Sequence, residues 1–222
     1  MKVFVTVGTT KFDALIQEVL RLSTLEIFLS KGYSKITVQV GASQLTYSMF
    51  AELGQREQYQ TERECERAFD SFMSELEEGE TVQLRIPRSD TNSDTKRSDP
   101  MIDSNSDTMS VSLFRYAPSL EPFIVSSDLL VSHAGAGTCH EVLSAHVPLV
   151  VVTNDNLMDN HQAELADKLT ALGHCVACSP ALLCNTLQRL ETSAFKKFSP
   201  GDPSLLAKFL DKKFLCEKDF QA

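Results

Sequence analysis

The stretch Asp128-Leu-Leu-Val-Ser-His-Ala-Gly-Ala-Gly-Thr-Cys-His-Glu141 decides how the chain folds. Its apolar run Leu129–Val131 is strand-like in length. Two glycines follow at a tight turn, and the residues from near Gly137 or Thr138 to Ala145 read as a helix. Such a turn presents the unpaired amides and positive dipole end of a helix, which attract phosphate. Side chains at Gly135 and Gly137 would hold a phosphate off the backbone; alternatively, the glycines only tighten the turn. Glu141 falls about one turn into the helix, placed to accept hydrogen bonds from a ribose diol or merely to complement the dipole.

Working outward, Pro148–Val152 is a buried strand, and the loop after it, Thr153-Asn-Asp-Asn-Leu-Met-Asp-Asn-His-Gln162, has eight hydrogen-bonding side chains among ten. Open α/β sheets bind ligands at such strand ends. Asp159 or Asn160 also suits a helix cap, but capping does not account for His161 and Gln162. A helix is expected over Asp159–Leu172 with Gly173 closing it, then a strand His174–Ala177 and helices near Pro180–Leu190 and Pro203–Phe214.

At the other end, Val3-Phe-Val-Thr-Val7 is a strand stopped by Gly8, helical spacing runs through Phe12, Leu15, Ile16, Val19 and Leu20, and Lys35–Val40 is a second strand. This is a βαβ unit with a parallel sheet. Val111–Phe114 and Ser119–Val125 add a strand and a short helix. The alternation specifies an α/β fold, a Rossmann-like parallel sheet flanked by helices, in one domain over residues 1–222. Its interruption lies at about 52–110. Glu52–Glu80 holds ten acids against three arginines, an exposed acidic helix; Thr81–Ile86 alternates like a strand; Ser89–Ser110 has 16 Ser, Asp, Thr or Asn residues in 22, a loop too polar to order itself.

The composition narrows function. The chain has 222 residues, 42% of them hydrophobic and 23% charged, with a formal charge of −9. That excess of acid opposes a nucleic-acid groove, which needs a basic stripe. The longest apolar stretch, Val147–Val152, is far below the roughly 20 residues of a spanning helix, and the N-terminus lacks signal-peptide character; a cytoplasmic protein is expected. The six cysteines then read as reduced thiols. Cys175 and Cys178 have redox or zinc spacing, but a strand is the wrong setting and no further ligand pair is in register. His140, His146 and His174 suggest structural roles. His133, just before the glycine turn, either orients or deprotonates a substrate group, donates to phosphate, or shapes the turn.

Taken together, Phe4-Val-Thr-Val-Gly-Thr-Thr-Lys-Phe-Asp13, Val131-Ser-His-Ala-Gly-Ala-Gly-Thr138, Glu141, Pro148–Val152 and Leu157-Met-Asp-Asn-His-Gln-Ala-Glu-Leu-Ala166 resemble the eukaryotic catalytic subunits of dolichol-linked UDP-N-acetylglucosamine transferases. These belong to glycosyltransferase family 28 and are similar to the C-terminal half of the bacterial N-acetylglucosamine transferase of peptidoglycan synthesis. The resemblance covers about 1–51 and 111–215. It implies the donor-binding half of a GT-B enzyme whose other half is a separate, membrane-anchored, acceptor-binding subunit. The implied reaction moves N-acetylglucosamine, with inversion, from UDP to dolichyl diphosphate N-acetylglucosamine on the cytosolic face of the endoplasmic reticulum.

By matching position the resemblance implies that Gly135, Ala136 and Gly137, with Thr138 beside them, face the donor diphosphate, Glu141 the ribose, and Asn160, His161 and Gln162 the sugar; Gly8, Thr9 and Thr10 form the facing turn. The residues themselves suggest that two helix tips, one after each glycine turn, neutralise the leaving diphosphate. No two aspartates stand two positions apart, so a metal-free mechanism without cofactor is expected. A non-catalytic nucleotide-sugar-binding module is the alternative. An NAD enzyme lacks its Gly-x-Gly-x-x-Gly after the first strand.

Overall fold

A computed structural model describes residues 1–55, 58–87, 108–154 and 161–201, with 204 and 208. The helix expected near Pro203–Phe214 therefore lies outside the described residues except at 204 and 208, and Asn160 and most of the Ser89–Ser110 segment lie outside them too.

Seven strands form one sheet. In chain order they are β1 (Lys2–Thr6), β2 (Lys35–Gln39), β3 (Val82–Pro87), β4 (Thr108–Phe114), β5 (Leu129–His133), β6 (Leu149–Val152) and β7 (Val176–Cys178), and in space β3-β4-β2-β1-β5-β6-β7. All neighbours are parallel except β3, which pairs antiparallel with β4 in a register running from Val82↔Leu113 to Pro87↔Thr108. The Rossmann-like parallel sheet flanked by helices is thus present, with one antiparallel edge that the sequence alone did not reveal.

Residue alternation along the strands builds two cores. On one face, Val3, Val5, Ile36 and Val38 pack against α1 (Asp13–Leu20), α2 (Leu22–Ser30) and α8 (Leu183–Arg189). On the other, Phe4, Leu130, Leu149 and Val151 pack against α5 (Glu121–Val125), α6 (Ala136–Ser144) and α7 (His161–Ala171). From β1 the chain first winds through β2 and β4, then restarts on the other side at β5. The connections leaving β1 and β5, adjacent strands, consequently diverge to opposite faces, and a crevice opens at their C-terminal ends.

Several boundaries depart from expectation. After α1 the backbone of Arg21 turns extended, and a further helix, α2, begins at Leu22. The acidic stretch folds as a short α3 (Tyr47–Phe50), a π-helical turn Ala51–Gln55 and α4 (Glu62–Glu77), the last begun by a reciprocal cap between Thr61 and Glu64. This helix is not merely exposed: Cys65, Phe72 and Leu76 are buried against Leu84, Val111 and Leu113. Thr108–Ser110, expected in the loop, belong to β4, whose Met109, Val111 and Leu113 point into the same core. The last strand is Val176–Cys178 rather than His174–Ala177.

Candidate functional site

The turn after β5 leaves a bare helix tip. Gly135 is the N-cap of α6, in extended conformation and with no side-chain cap, so the helix starts at Ala136, one to two residues earlier than expected. Gly135 N donates to His133 O at 2.8 Å and Cys139 N to Gly135 O at 2.9 Å. Between them, the amides of Ala136, Gly137 and Thr138 have no partner among the described residues. An uncapped tip of this kind is an anion site. Glu141 stands exposed one turn further on.

The glycines of this turn do different work. A Cβ on Gly135 would come 2.4 Å from His133 Nε2, and one on Gly8 3.0 Å from His133 Cε1, whereas a Cβ on Gly137 would meet nothing within 4 Å. The imidazole therefore lies clasped between the two turns. Gly135 is required by that ring, and only Gly137 leaves space open to an incoming group. His133 is 8% exposed and its Nδ1 has no hydrogen-bond partner among the described residues. Burial lowers its pKa from 6.5, the backbone of Thr6 opposing weakly, so the ring is neutral at pH 7.

The first turn is closed on itself. Gly8 has φ +62° and its amide donates to Thr6 Oγ1 at 3.0 Å. The Thr10 hydroxyl donates to Val7 O at 2.7 Å, and Thr10 O accepts from Ala42 N at 3.3 Å; Thr9 is exposed. The helix α1 begins only at Asp13. Before it, Phe12 N donates to the buried Ser43 Oγ at 2.9 Å, and the Asp13 carboxylate accepts from Gln44 N at 2.9 Å and pairs with Lys11 at 3.3 Å. Neither helix start has a side-chain cap, but the two tips differ in charge: α1 carries the Asp13 carboxylate in its first turn, and α6 carries no acid there.

β6 ends at the same sheet edge, with Val152 beside His133. His161 opens α7, and Gln162 carries a buried Oε1 without a hydrogen-bond partner among the described residues. Beside Glu141 a cleft of about 810 Å³ opens between α6 and the segment from the end of β4 through α5. Its far wall is mostly apolar, with Ala117, Pro118, Leu120, Ile124 and Val125, and also carries Ser119 and Glu121. Sequence reasoning missed this wall; Tyr116-Ala-Pro-Ser at the end of a strand was the available signal.

The remaining candidates resolve as structure. Burial raises the thiol pKa of Cys175 and Cys178, and that of Cys139 to about 12, the opposite of what a redox thiolate needs. His140 and His174 both pack edge-on against Phe198, and His174 Nδ1 lies 3.0 Å from Lys196 O. Among the described residues no group of three or more His, Cys, Asp or Glu side chains is arranged to hold a metal, and no helix is long and apolar enough to cross a membrane.

Comparison with known proteins adds a family. The model of the glycosyltransferase family 28 C-terminal domain matches residues 66–211, running through the acidic helix that the resemblance had left out. The UDP-N-acetylglucosamine transferase subunit ALG13 of Candida glabrata is 31% identical over 195 residues, covering 86% of this chain and 87% of that protein. Its counterpart in Cryptococcus neoformans is 31% identical over 177 residues, 79% of this chain and 76% of that one. The mouse protein of the same name is 29% identical over 182 residues, and the match takes up 82% of this chain but 11% of the mouse protein. The chain thus spans about a tenth of the length of the mouse and human relatives. A solution structure of ALG13 superposes with a TM-score of 0.55 at 24% identity, covering 94% of each chain, a likeness of fold.

Proposed function

Since the chain belongs to glycosyltransferase family 28 through its C-terminal domain, we propose that it is the donor-binding, catalytic subunit of a UDP-N-acetylglucosamine transferase. The acceptor is dolichyl diphosphate N-acetylglucosamine, presented by a membrane-anchored partner subunit on the cytosolic face of the endoplasmic reticulum. The observation that carries this is the α6 tip: three unpartnered amides, an open side at Gly137, and a carboxylate one turn away.

In this reading the amides of Ala136, Gly137 and Thr138 receive the diphosphate oxygens and Glu141 accepts from the ribose diol. The apolar wall of the cleft covers the base. Asn160, His161 and Gln162 take the sugar hydroxyls, and the unsatisfied Gln162 Oε1 gains a donor. Gly8, Thr9 and Thr10 border the site rather than supply a second helix tip, and neutral His133 offers at most one N–H to it. The acceptor hydroxyl oxygen attacks the anomeric carbon as the bond to the β-phosphate oxygen breaks. Its electron pair passes to the diphosphate, the hydroxyl proton passes to a base on the partner side, and the configuration inverts. Fixed amides aimed at the developing charge are worth roughly 10²- to 10³-fold in rate per donor in comparable anion holes.

Co-expression with the membrane subunit and labelled UDP-N-acetylglucosamine tests this. Transfer to a short lipid diphosphate acceptor by the pair, and by neither chain alone, is expected. Donor binding without transfer would leave the non-catalytic binding module instead.

A further inference from the structure

We propose that Ser144 reads the base of the bound nucleotide, its hydroxyl hydrogen-bonding the polar edge of the pyrimidine in the part of the α5–α6 cleft away from the α6 tip. This rests on the donor-site reading above and extends it to a residue not yet given a role. The helix α6 acts as a ruler. Gly137 and Thr138 at its tip, Glu141 and Ser144 all line the cleft, and residues three or four apart share a helix side. At 1.5 Å per residue, Ser144 stands about 4.5 Å beyond Glu141 along the axis, away from the tip. A nucleoside diphosphate presents phosphates, ribose and base in that same order, so a ligand anchored at the tip and at Glu141 delivers its base to Ser144.

The chemistry at that end is selective. The opposite wall offers Ala117, Pro118, Leu120, Ile124 and Val125 to the face of a ring, with Ser119 and Glu121 among them. Of the polar side chains nearby, the Ser119 hydroxyl already accepts from Glu121 N at 3.2 Å. The Ser144 hydroxyl is shut away from water and has no hydrogen-bond partner among the described residues. A buried hydroxyl left unpaired is costly, and rotation about χ1 to another staggered well turns it toward the cleft. A pyrimidine edge, with its carbonyl acceptors and ring N–H, then satisfies it as donor or acceptor.

The test is a titration of the full chain, followed by backbone amide NMR, with UDP and, separately, inorganic pyrophosphate. Ser144→Ala is expected to weaken UDP about five- to tenfold, the loss of one hydrogen bond, while pyrophosphate affinity stays at the wild-type value and the melting temperature does not fall, since the hydroxyl removed is unpaired in the free protein; Ser144→Thr restores UDP affinity. If Ser144→Ala binds UDP as the wild type does while Glu141→Ala is weakened, the assignment of Ser144 is overturned and the donor site stands. If Ser144→Ala loses UDP and pyrophosphate together, the effect is a distorted α6, which also overturns it. No UDP binding by the wild type would overturn the donor site itself, and Ser144 with it.

Discussion

Two glycine turns lie side by side at the ends of β1 and β5, and they differ in what they do with their backbone. The first spends its polar groups inward. Gly8 N goes to Thr6, Thr10 to Val7 and Ala42, Phe12 N to Ser43 and the Asp13 carboxylate to Gln44. The second leaves three amides without a partner among the described residues and places no carboxylate in the first turn of its helix. The pair shows that a glycine after a strand does not by itself make an anion site; the next six residues decide. His133, held between Gly8 and Gly135, joins the satisfied turn to the open one.

The contrast can be attacked from the closed side first. Gly41, after β2, has φ +52°, and a Cβ there would lie 2.6 Å from Gly8 O and 3.0 Å from Thr10 O, both backbone atoms. Gly41→Ala should therefore cost about 3 kcal/mol or more in denaturant unfolding; a loss below about 1 kcal/mol would mean the first turn is not locked. Next, Gly135→Ala drives a Cβ into the His133 ring and should cost roughly 2 kcal/mol. Because the obstacle is a side chain, Gly135→Ala combined with His133→Ala should recover part of that loss.

On the open side the expected effects fall on binding. Glu141→Ala should weaken UDP about 10- to 100-fold, the range for hydrogen bonds to a charged group, and leave the melting midpoint unchanged because the carboxylate is exposed. Gly137→Ala should separate stability from function. Alanine replaces a helical glycine with free space around it, which should raise stability by about 0.5–1 kcal/mol and still reduce UDP affinity. Equal or tighter UDP binding by Gly137→Ala would argue that phosphate does not approach there. The smallest effect is a pH slope. The folded pKa of His133 lies below 6.5, so as pH falls through 6.5 the unfolded chain takes up a proton that the folded chain refuses. Stability should drop from about pH 6.5 down to the lower folded value and then level, and His133→Gln should flatten that segment of the stability curve.

What the sequence made legible were features written in consecutive residues. The runs Val3–Val7 and Leu129–Val131, the Gly135–Thr138 turn and Glu141 carry their own periodicity and spacing, and the fold class follows from their alternation with helices. Contacts between distant segments were hidden. Met109, Val111 and Leu113 alternate with Thr108, Ser110 and Ser112, but a polar run upstream masked where β4 begins. The acids of α4 concealed that Cys65, Phe72 and Leu76 form a buried stripe, because burial there depends on β3 and β4 being present to cover it. The demand that the His133 ring places on Gly135 was hidden for the same reason: that ring belongs to a residue whose orientation no local pattern specifies.

The antiparallel pairing of β3 with β4 has a practical consequence. Pro87 sits opposite Thr108 at the start of β4, the end of the sheet remote from the α6 tip. Whatever chain joins these two residues must leave from and return to one spot, so doubling its length adds only about 0.6 kcal/mol of closure entropy. A fluorescent reporter or an affinity tag spliced between residues 89 and 106 would ride on the hairpin as a passenger, whereas a cut extending to Ser110 removes part of a strand and should unravel the sheet margin that shelters α4.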